Sequence, residues 1–354
     1  MAGTKRLLSL GMTALRSNFA TLGRPYKLNF AVTYWCNSRC LTCNIWQLKP
    51  KNELTLDEIK TFAKNNNYFK WVELTGGEPF MRSDTVEIVK AFAASMKNLY
   101  VLTMPTNSLI NHDALVSKIE SIAQIGIPRF VITLSLDGYR ELHDKIRGVP
   151  GNFDKVMAVA ASLHELEKKY RGFSFFFGYT MSKYNTGELA KTIESVKAAL
   201  PWVDANRFHV NIAQVSGFYY NNASASFEVD ANTASGELSY LLERKRPSFD
   251  AAQVVENAFL RKLLVFLKSG KRPMRTRNLE LSVFLDSFGT VYPSIMWEEP
   301  LGNIRNAGYS LENLLNGEKA KQVLEKVKKG EEPNAWTSCD AYQALTSNLK
   351  ELLL

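Results

Sequence analysis

Residues 27–46 read Lys-Leu-Asn-Phe-Ala-Val-Thr-Tyr-Trp-Cys-Asn-Ser-Arg-Cys-Leu-Thr-Cys-Asn-Ile-Trp. From Lys27 to Val32 the residues alternate in the manner of a strand. The loop that follows places Cys36, Cys40 and Cys43 in a C-x3-C-x2-C spacing. These are three of the chain's 4 cysteines. An odd cluster cannot pair internally as disulfides. A tetrahedral zinc site takes four ligands, and the first histidine in the chain is His112. Three thiolates on one tight loop suit three corners of a [4Fe–4S] cube. The remaining iron is then open to a substrate or cofactor.

Further along, Trp71–Leu74 reads as a strand that runs into Thr75-Gly76-Gly77-Glu78-Pro79. Phe130–Leu136 leads through Ser135-Leu136-Asp137-Gly138 to His143-Asp144-Lys145-Ile146-Arg147-Gly148 and Gly151-Asn152-Phe153. The cysteine loop after one strand and Gly-Gly-Glu-Pro after the next resemble the radical S-adenosylmethionine (radical SAM) superfamily. The later segments resemble its branch with C-terminal SPASM or twitch extensions. The resemblance covers roughly residues 27–215, with a weaker match in the tail.

The resemblance implies that Cys36, Cys40 and Cys43 hold one [4Fe–4S] cluster. Gly76, Gly77, Glu78, Pro79, Ser135 and Arg147 fall at the positions that bind S-adenosylmethionine. It further implies reductive cleavage of that cofactor to a 5′-deoxyadenosyl radical, which takes hydrogen from an unactivated C–H bond. A flavodoxin or ferredoxin is the expected electron donor. No catalytic acid, base or radical-quenching residue is assigned. Trp35 and Trp46 flank the cysteines and could shield a cluster or stack on adenine, although core packing also suits Trp35. Tyr179, Tyr219, Tyr220, Asp286 and Trp297 are weaker candidates for the substrate cavity.

Strand and helix alternate strictly after Pro25, which implies right-handed parallel units. The expected fold is α/β: a partial (β/α)6 barrel with a small C-terminal α+β extension resembling SPASM/twitch. The expected divisions are 1–25 (a basic amphipathic helix), 26–215 (the barrel), 216–275 (a helical connector) and 276–354 (the extension). Reactive groups of such a barrel belong at the C-terminal ends of its strands. The extension departs from the family pattern. Ser294 and Ala335 stand where auxiliary-cluster cysteines are expected, and only Cys339 remains. One thiolate cannot hold an iron–sulfur cluster.

The chain has 354 residues and a net charge of +9. Its longest apolar runs are far shorter than the ~20 residues of a membrane span. Few cysteines, mostly clustered, point to a reducing compartment, and no cleavable leader is read at the N-terminus. The expected location is cytoplasmic, peripheral on the inner face of the membrane. That refinement comes from residues 4–22, where Leu8, Met12, Leu15, Phe19 and Leu22 line one helical face and Lys5, Thr13 and Arg16 lie away from it. Such a stripe either meets an anionic membrane surface or else packs against the barrel or makes a dimer contact, and packing is the commoner use.

The leading expectation is a radical SAM enzyme acting on a membrane lipid, isoprenoid or lipid-linked sugar. The alternative is a maturase that modifies peptides or proteins. A non-catalytic iron–sulfur or nucleic-acid-binding protein is the third reading. No basic stripe with interleaved aromatics supports nucleic acid as a partner.

Overall fold

Strand and helix follow one another from Lys27 to Ile212, as the alternation predicts. The computed structural model describes residues 2–227, 229–248 and 250–353. Residues 1 and 354, at the outer ends of the expected segments, lie outside that range. In chain order the elements are α1 (Ala2–Ser17), β1 (Lys27–Thr33), α2 (Leu56–Asn65), β2 (Trp71–Gly76), α3 (Thr85–Ser95), β3 (Val101–Thr106) and α4 (His112–Gln124). Then come β4 (Arg129–Ser135), α5 (Arg140–Arg147), α6 (Asn152–Lys169), β5 (Phe173–Met181), α7 (Leu189–Ala199) and β6 (Phe208–Ile212). The remainder is α8 (Ala231–Arg244), α9 (Ala251–Ser269), β7 (Ser282–Leu285), β8 (Thr290–Tyr292) and β9 (Gly302–Asn303). It ends in α10 (Leu311–Leu315), α11 (Glu318–Lys329), α12 (Ser338–Thr346) and α13 (Leu349–Leu353).

All of these strands lie in one sheet, ordered β6-β5-β4-β3-β2-β1-β7-β8-β9. Every pairing among β1 to β6 is parallel. The fold is the expected partial barrel. Along β5 the aromatics Phe173, Phe175, Phe177 and Tyr179 alternate with less buried residues. Their face joins the core under the helices, and Thr180 on the other face lines the interior. The C-terminal hairpin is continuous with the barrel, because β7 pairs parallel with β1, Lys27 opposite Ser282.

The barrel is open beside β6, which pairs with β5 alone among the described strands. The tail occupies that opening. Lys27 Nζ lies 3.1 Å from Glu73 Oε2 and donates to Cys339 O at 2.7 Å. His209 meets Glu256 at 2.8 Å and the Tyr342 hydroxyl at 2.9 Å. Trp336 is fully buried and stacks on Phe259, with centroids 5.9 Å apart.

Helix α1 departs from expectation in two ways. It stops at Ser17, so Phe19 and Leu22 lie beyond it. Ser17 Oγ and the Asn18 amide both donate back to Ala14 O, at 2.6 and 2.8 Å, and so satisfy a terminal carbonyl of the helix. It also docks through its polar face. Lys70 Nζ donates to Ser9 O at 2.9 Å and to the Thr13 hydroxyl. Ser17 Oγ in turn accepts from the Ser347 hydroxyl at 2.7 Å. The apolar stripe points outward, with Leu8 60%, Met12 70%, Leu15 50% and Phe19 81% exposed. Lys70 and Leu99, which α1 contacts, lie just before β2 and β3, and Gly3 faces Pro128, just before β4. The helix therefore lies under the N-terminal ends of the strands.

Candidate functional site

The cysteine loop leaves β1 and is held on both flanks. Arg39 N donates to Arg147 O and Leu41 N to Ile146 O, each at 2.9 Å. Asn44 N donates to Tyr220 O at 2.9 Å. The loop is thus bonded to α5 on one side and to the segment after β6 on the other. These bonds satisfy backbone groups that a buried loop would otherwise leave unpaired.

The Gly-Gly-Glu-Pro turn runs alongside the start of this loop. Gly77 N donates to Thr33 O at 2.7 Å and Glu78 N to Trp35 O at 2.8 Å. The contact explains both glycines. A Cβ on Gly76 would stand 2.1 Å from Thr33 O, and one on Gly77 2.2 Å from Trp35 O. Gly76 also has a φ of +124°, which L side chains rarely adopt. Pro79 opens a short turn of helix whose missing N–H costs nothing there.

Glu78 is buried, and its carboxylate is already occupied. Oε2 accepts from Asn107 N at 2.7 Å and Oε1 from Phe80 N at 3.2 Å. It ties the turn after β2 to the turn after β3. Burial pushes its carboxyl up to about 7, against the pull of those amides. Arg147 Nε lies 2.7 Å from Asp137 Oδ2, and Asp137 Oδ1 accepts from Thr180 N at 2.9 Å. Arg147 Nη1 also donates to Cys40 Sγ at 3.5 Å. His143 Nδ1 accepts from Asp137 N at 3.1 Å, and its Nε2 meets Asn152 Oδ1 at 3.1 Å. Burial depresses the His143 pKa to about 3, so the ring is neutral and Nε2–H is the donor. The His143…Gly151-Asn152 stretch is therefore scaffolding for the loops after β3 and β4.

These groups surround one cavity of about 240 Å³. Cys36, Cys40 and Cys43 line it, with Gly76, Gly77, Glu78, Ser135 and Arg147. Each strand from β2 to β6 contributes its C-terminal end, through Thr75, Thr106, Ser135, Thr180 and Ile212. Pro79 is buried and does not line the cavity. Tyr219, Tyr220 and Trp46 line the cavity, whereas Trp35 is 45% exposed and is no core residue. Tyr179 instead donates to Asn185 O at 2.7 Å, and Asp286 accepts from the backbone of Phe288 and Thr290. The sequence did not single out Asn107, and it gave Cys339 no role at this site. Asn107 donates to Cys36 Sγ at 3.8 Å, and its only local signal is its place after a strand. Cys339 reaches the same cavity, where its Sγ donates to Glu73 Oε1 at 3.1 Å.

Residues 30–196 match the family model of the Radical SAM superfamily. The chain carries a Radical SAM domain over that stretch, a little under half of its length. It is 30% identical over 183 residues to an AdoMet-dependent heme synthase of Methanosarcina barkeri, covering 50% of this chain and 49% of that protein. It is 30% identical over 168 residues to a PqqA peptide cyclase of Ruegeria pomeroyi, covering 47% and 40%. The chain thus spans about half or less of the relatives it matches. Among solved structures, anSMEcpe with bound AdoMet superposes with a TM-score of 0.60 at 18% identity, over 93% of this chain and 96% of that one. SuiB of Streptococcus suis bound to S-adenosylmethionine gives 0.54 at 15%, over 81% and 64%. At such identities the likeness is one of fold, and it includes the C-terminal segment.

The superfamily implies a [4Fe–4S] cluster and S-adenosylmethionine. Among the described residues no three His, Cys, Asp or Glu side chains are set to hold a single metal ion. A cube makes a different demand, since each thiolate binds a separate iron. The donor set fits it: three thiols on one cavity, approached by Ser38 Oγ at 3.1 Å from Cys40 Sγ and by the Arg147 and Asn107 donors. Donors to cluster sulfurs tune the reduction potential. Burial pushes the free thiols of Cys36 up to about 11 and Cys43 up to about 12, so they are neutral until a metal displaces their protons. The buried Trp46 indole N–H has no partner in the protein and offers a further donor at the wall.

Proposed function

We propose that this protein cleaves S-adenosylmethionine reductively and takes hydrogen from an unactivated C–H bond of a membrane lipid, isoprenoid or lipid-linked sugar. The chemistry rests on one observation: three thiols and the Gly-Gly-Glu-Pro turn converge on a single cavity at the strand ends. Cys36, Cys40 and Cys43 would hold one [4Fe–4S] cluster, which with S-adenosylmethionine supplies the 5′-deoxyadenosyl radical. Gly76, Gly77 and Pro79 serve the cofactor through their backbone, and Ser135 through its hydroxyl. Glu78 acts by holding the turn, and Arg147 by facing Cys40 and Asp137. Tyr219 and Tyr220 restrict water at the far wall. A flavodoxin- or ferredoxin-type donor supplies the electron.

The outward stripe of α1 favours the lipid substrate. An apolar face near Lys5 and Arg16 suits reversible binding to an anionic bilayer, at about 1 kcal/mol per cation near the surface. Among the described residues no helix is long and apolar enough to cross a membrane. The protein then works in the cytoplasm, peripheral on the inner face. Its helix and cavity lie at opposite ends of the barrel, so α1 concentrates the enzyme at the bilayer and does not aim the cavity at it.

The second reading is a peptide- or protein-modifying enzyme. It draws on the PqqA peptide cyclase among the relatives and on a peptide-bound anSMEcpe structure of TM-score 0.59. Lipid extracts of cells with active protein and with a Cys40→Ala variant separate the two. A lipid species that depends on the active protein supports the first reading. Unchanged lipids with a modified peptide overturn it.

A further inference from the structure

We propose that the outer face of the cysteine loop docks a small acidic electron carrier of the flavodoxin or ferredoxin type. The proposal rests on the radical reading above and says where the electron enters. The loop faces both ways. Cys36, Cys40 and Cys43 line the cavity, while Trp35 and Leu41, each next to one of them, are 45% and 42% exposed. Met81 is 41% exposed and belongs to the turn that Glu78 N bonds to Trp35 O. Outside α1 and the turn that ends it, the large exposed apolar side chains among the described residues are these three, Val215, Val265 and Leu349. Half of them therefore gather at this loop. Transfer of an electron between proteins weakens steeply with distance, so a carrier must come close to the thiols. This face allows that approach without entry into the cavity.

The charge around the loop selects the carrier. No acidic residue precedes Glu53 in the chain. Arg39, Lys49 and Lys51 are exposed on the loop and on the segment that continues it. Lys145, exposed on α5, is brought alongside by the bonds of Arg39 N to Arg147 O and Leu41 N to Ile146 O. The carboxylates next to these cations in sequence are taken by backbone. Glu53 Oε1 accepts from Tyr34 N at 2.6 Å, and Asp144 accepts from Gly151 N at 2.6 Å and Phe153 N at 2.8 Å. Glu141 is the exposed carboxylate that α5 sets against these cations. Such a face attracts an acidic partner and speeds its encounter. Trp, Met and Arg are enriched where proteins meet, and electron-transfer pairs use small, weak interfaces. An anionic bilayer would also suit cations beside apolar groups, but α1 lies at the opposite end of the barrel. A bilayer held by α1 leaves this face turned away from it.

The test measures binding of an oxidised, acidic flavodoxin to full-length reconstituted protein at low salt by biolayer interferometry, so that no electron moves. Arg39→Glu/Lys145→Glu should slow association and weaken binding about tenfold or more, and Trp35→Ala should weaken it about tenfold, or ~1.4 kcal/mol. Lys319→Glu/Lys321→Glu on α11 makes the same change in net charge and should stay within about twofold of wild type. Added salt should weaken the wild type more than the Arg39→Glu/Lys145→Glu variant. Wild-type affinity in both loop variants overturns the proposal. So does an equal loss in the α11 variant, or equal binding of an acidic protein of like size without a redox centre. Loss of sedimentation with anionic vesicles in the loop variants would assign the face to lipid and overturn it as well. No 5′-deoxyadenosine from dithionite-reduced wild type overturns the radical reading beneath the proposal, whereas cleavage with binding indifferent to the loop variants overturns the docking surface alone.

Discussion

The two ends of the barrel are built on opposite rules. At the C-terminal ends of the strands, backbone approaches backbone with no room for a Cβ, and buried polar side chains such as Glu78 and Asp137 are paired. Glu78, Asp137, His143 and Asn152 there all hold loops in place. At the N-terminal ends, α1 is pinned by a few polar contacts from Lys70 and Ser347, and its apolar residues face water. An apolar stripe thus fails to mark the core here, while buried polar residues mark the site. The difference teaches that side-chain polarity tells burial only after the partner surface is known.

The contrast can be broken experimentally, beginning where the effect is largest. Cys40→Ala should reduce S-adenosylmethionine cleavage to background and lower iron content, as a cluster loses one of its three protein ligands. Gly77→Ala should destabilise the fold by about 1–3 kcal/mol, because the new methyl meets the Trp35 carbonyl and backbone must move; thermal denaturation reads this directly. Asp286, also at the cavity end, should carry a pH signature. Burial raises its pKa to about 6, opposed by the Thr290 and Phe288 amides. Its folded value exceeds the unfolded ~3.9, so its contribution is full below pH ~4 and is lost as pH rises through about 6. Asp286→Asn should remove that part of the melting-temperature profile and leave the rest in place. At the opposite end the effects should be small. Leu8→Ser/Phe19→Ser should change stability by no more than ~0.5 kcal/mol, yet lower sedimentation with anionic vesicles. The wild-type association should weaken with salt, since screening acts over ~8 Å at physiological ionic strength. A large loss of stability in that variant would mean that the stripe is packed and the contrast is false.

Much of the cavity end was legible in the sequence because its signals are local. Cys36, Cys40 and Cys43 sit in one loop, and the glycines are required by a close approach. The less legible parts depend on distant residues. Helix α5 spans only Arg140–Arg147 between a loop and α6, too short to show a period. Residues 311–329 form two helices, α10 and α11, divided at Asn316–Gly317, where Gly317 takes an extended φ of −70° and ψ of 159°. Helix α12 and the arrival of Cys339 beside Glu73 are set by the open edge of the barrel, a property of the whole sheet. For α1 the stripe itself was visible, but the partners that turned it outward, Lys70 and Ser347, are far along the chain.

The most direct test of the central claim is to reconstitute the full chain, count iron and assay reduced protein for 5′-deoxyadenosine. One cluster on Cys36, Cys40 and Cys43 predicts about four irons per chain and 5′-deoxyadenosine formed with methionine, with Cys339→Ala leaving the iron count unchanged. About eight irons per chain, or undiminished cleavage after all three loop cysteines are replaced, would contradict it.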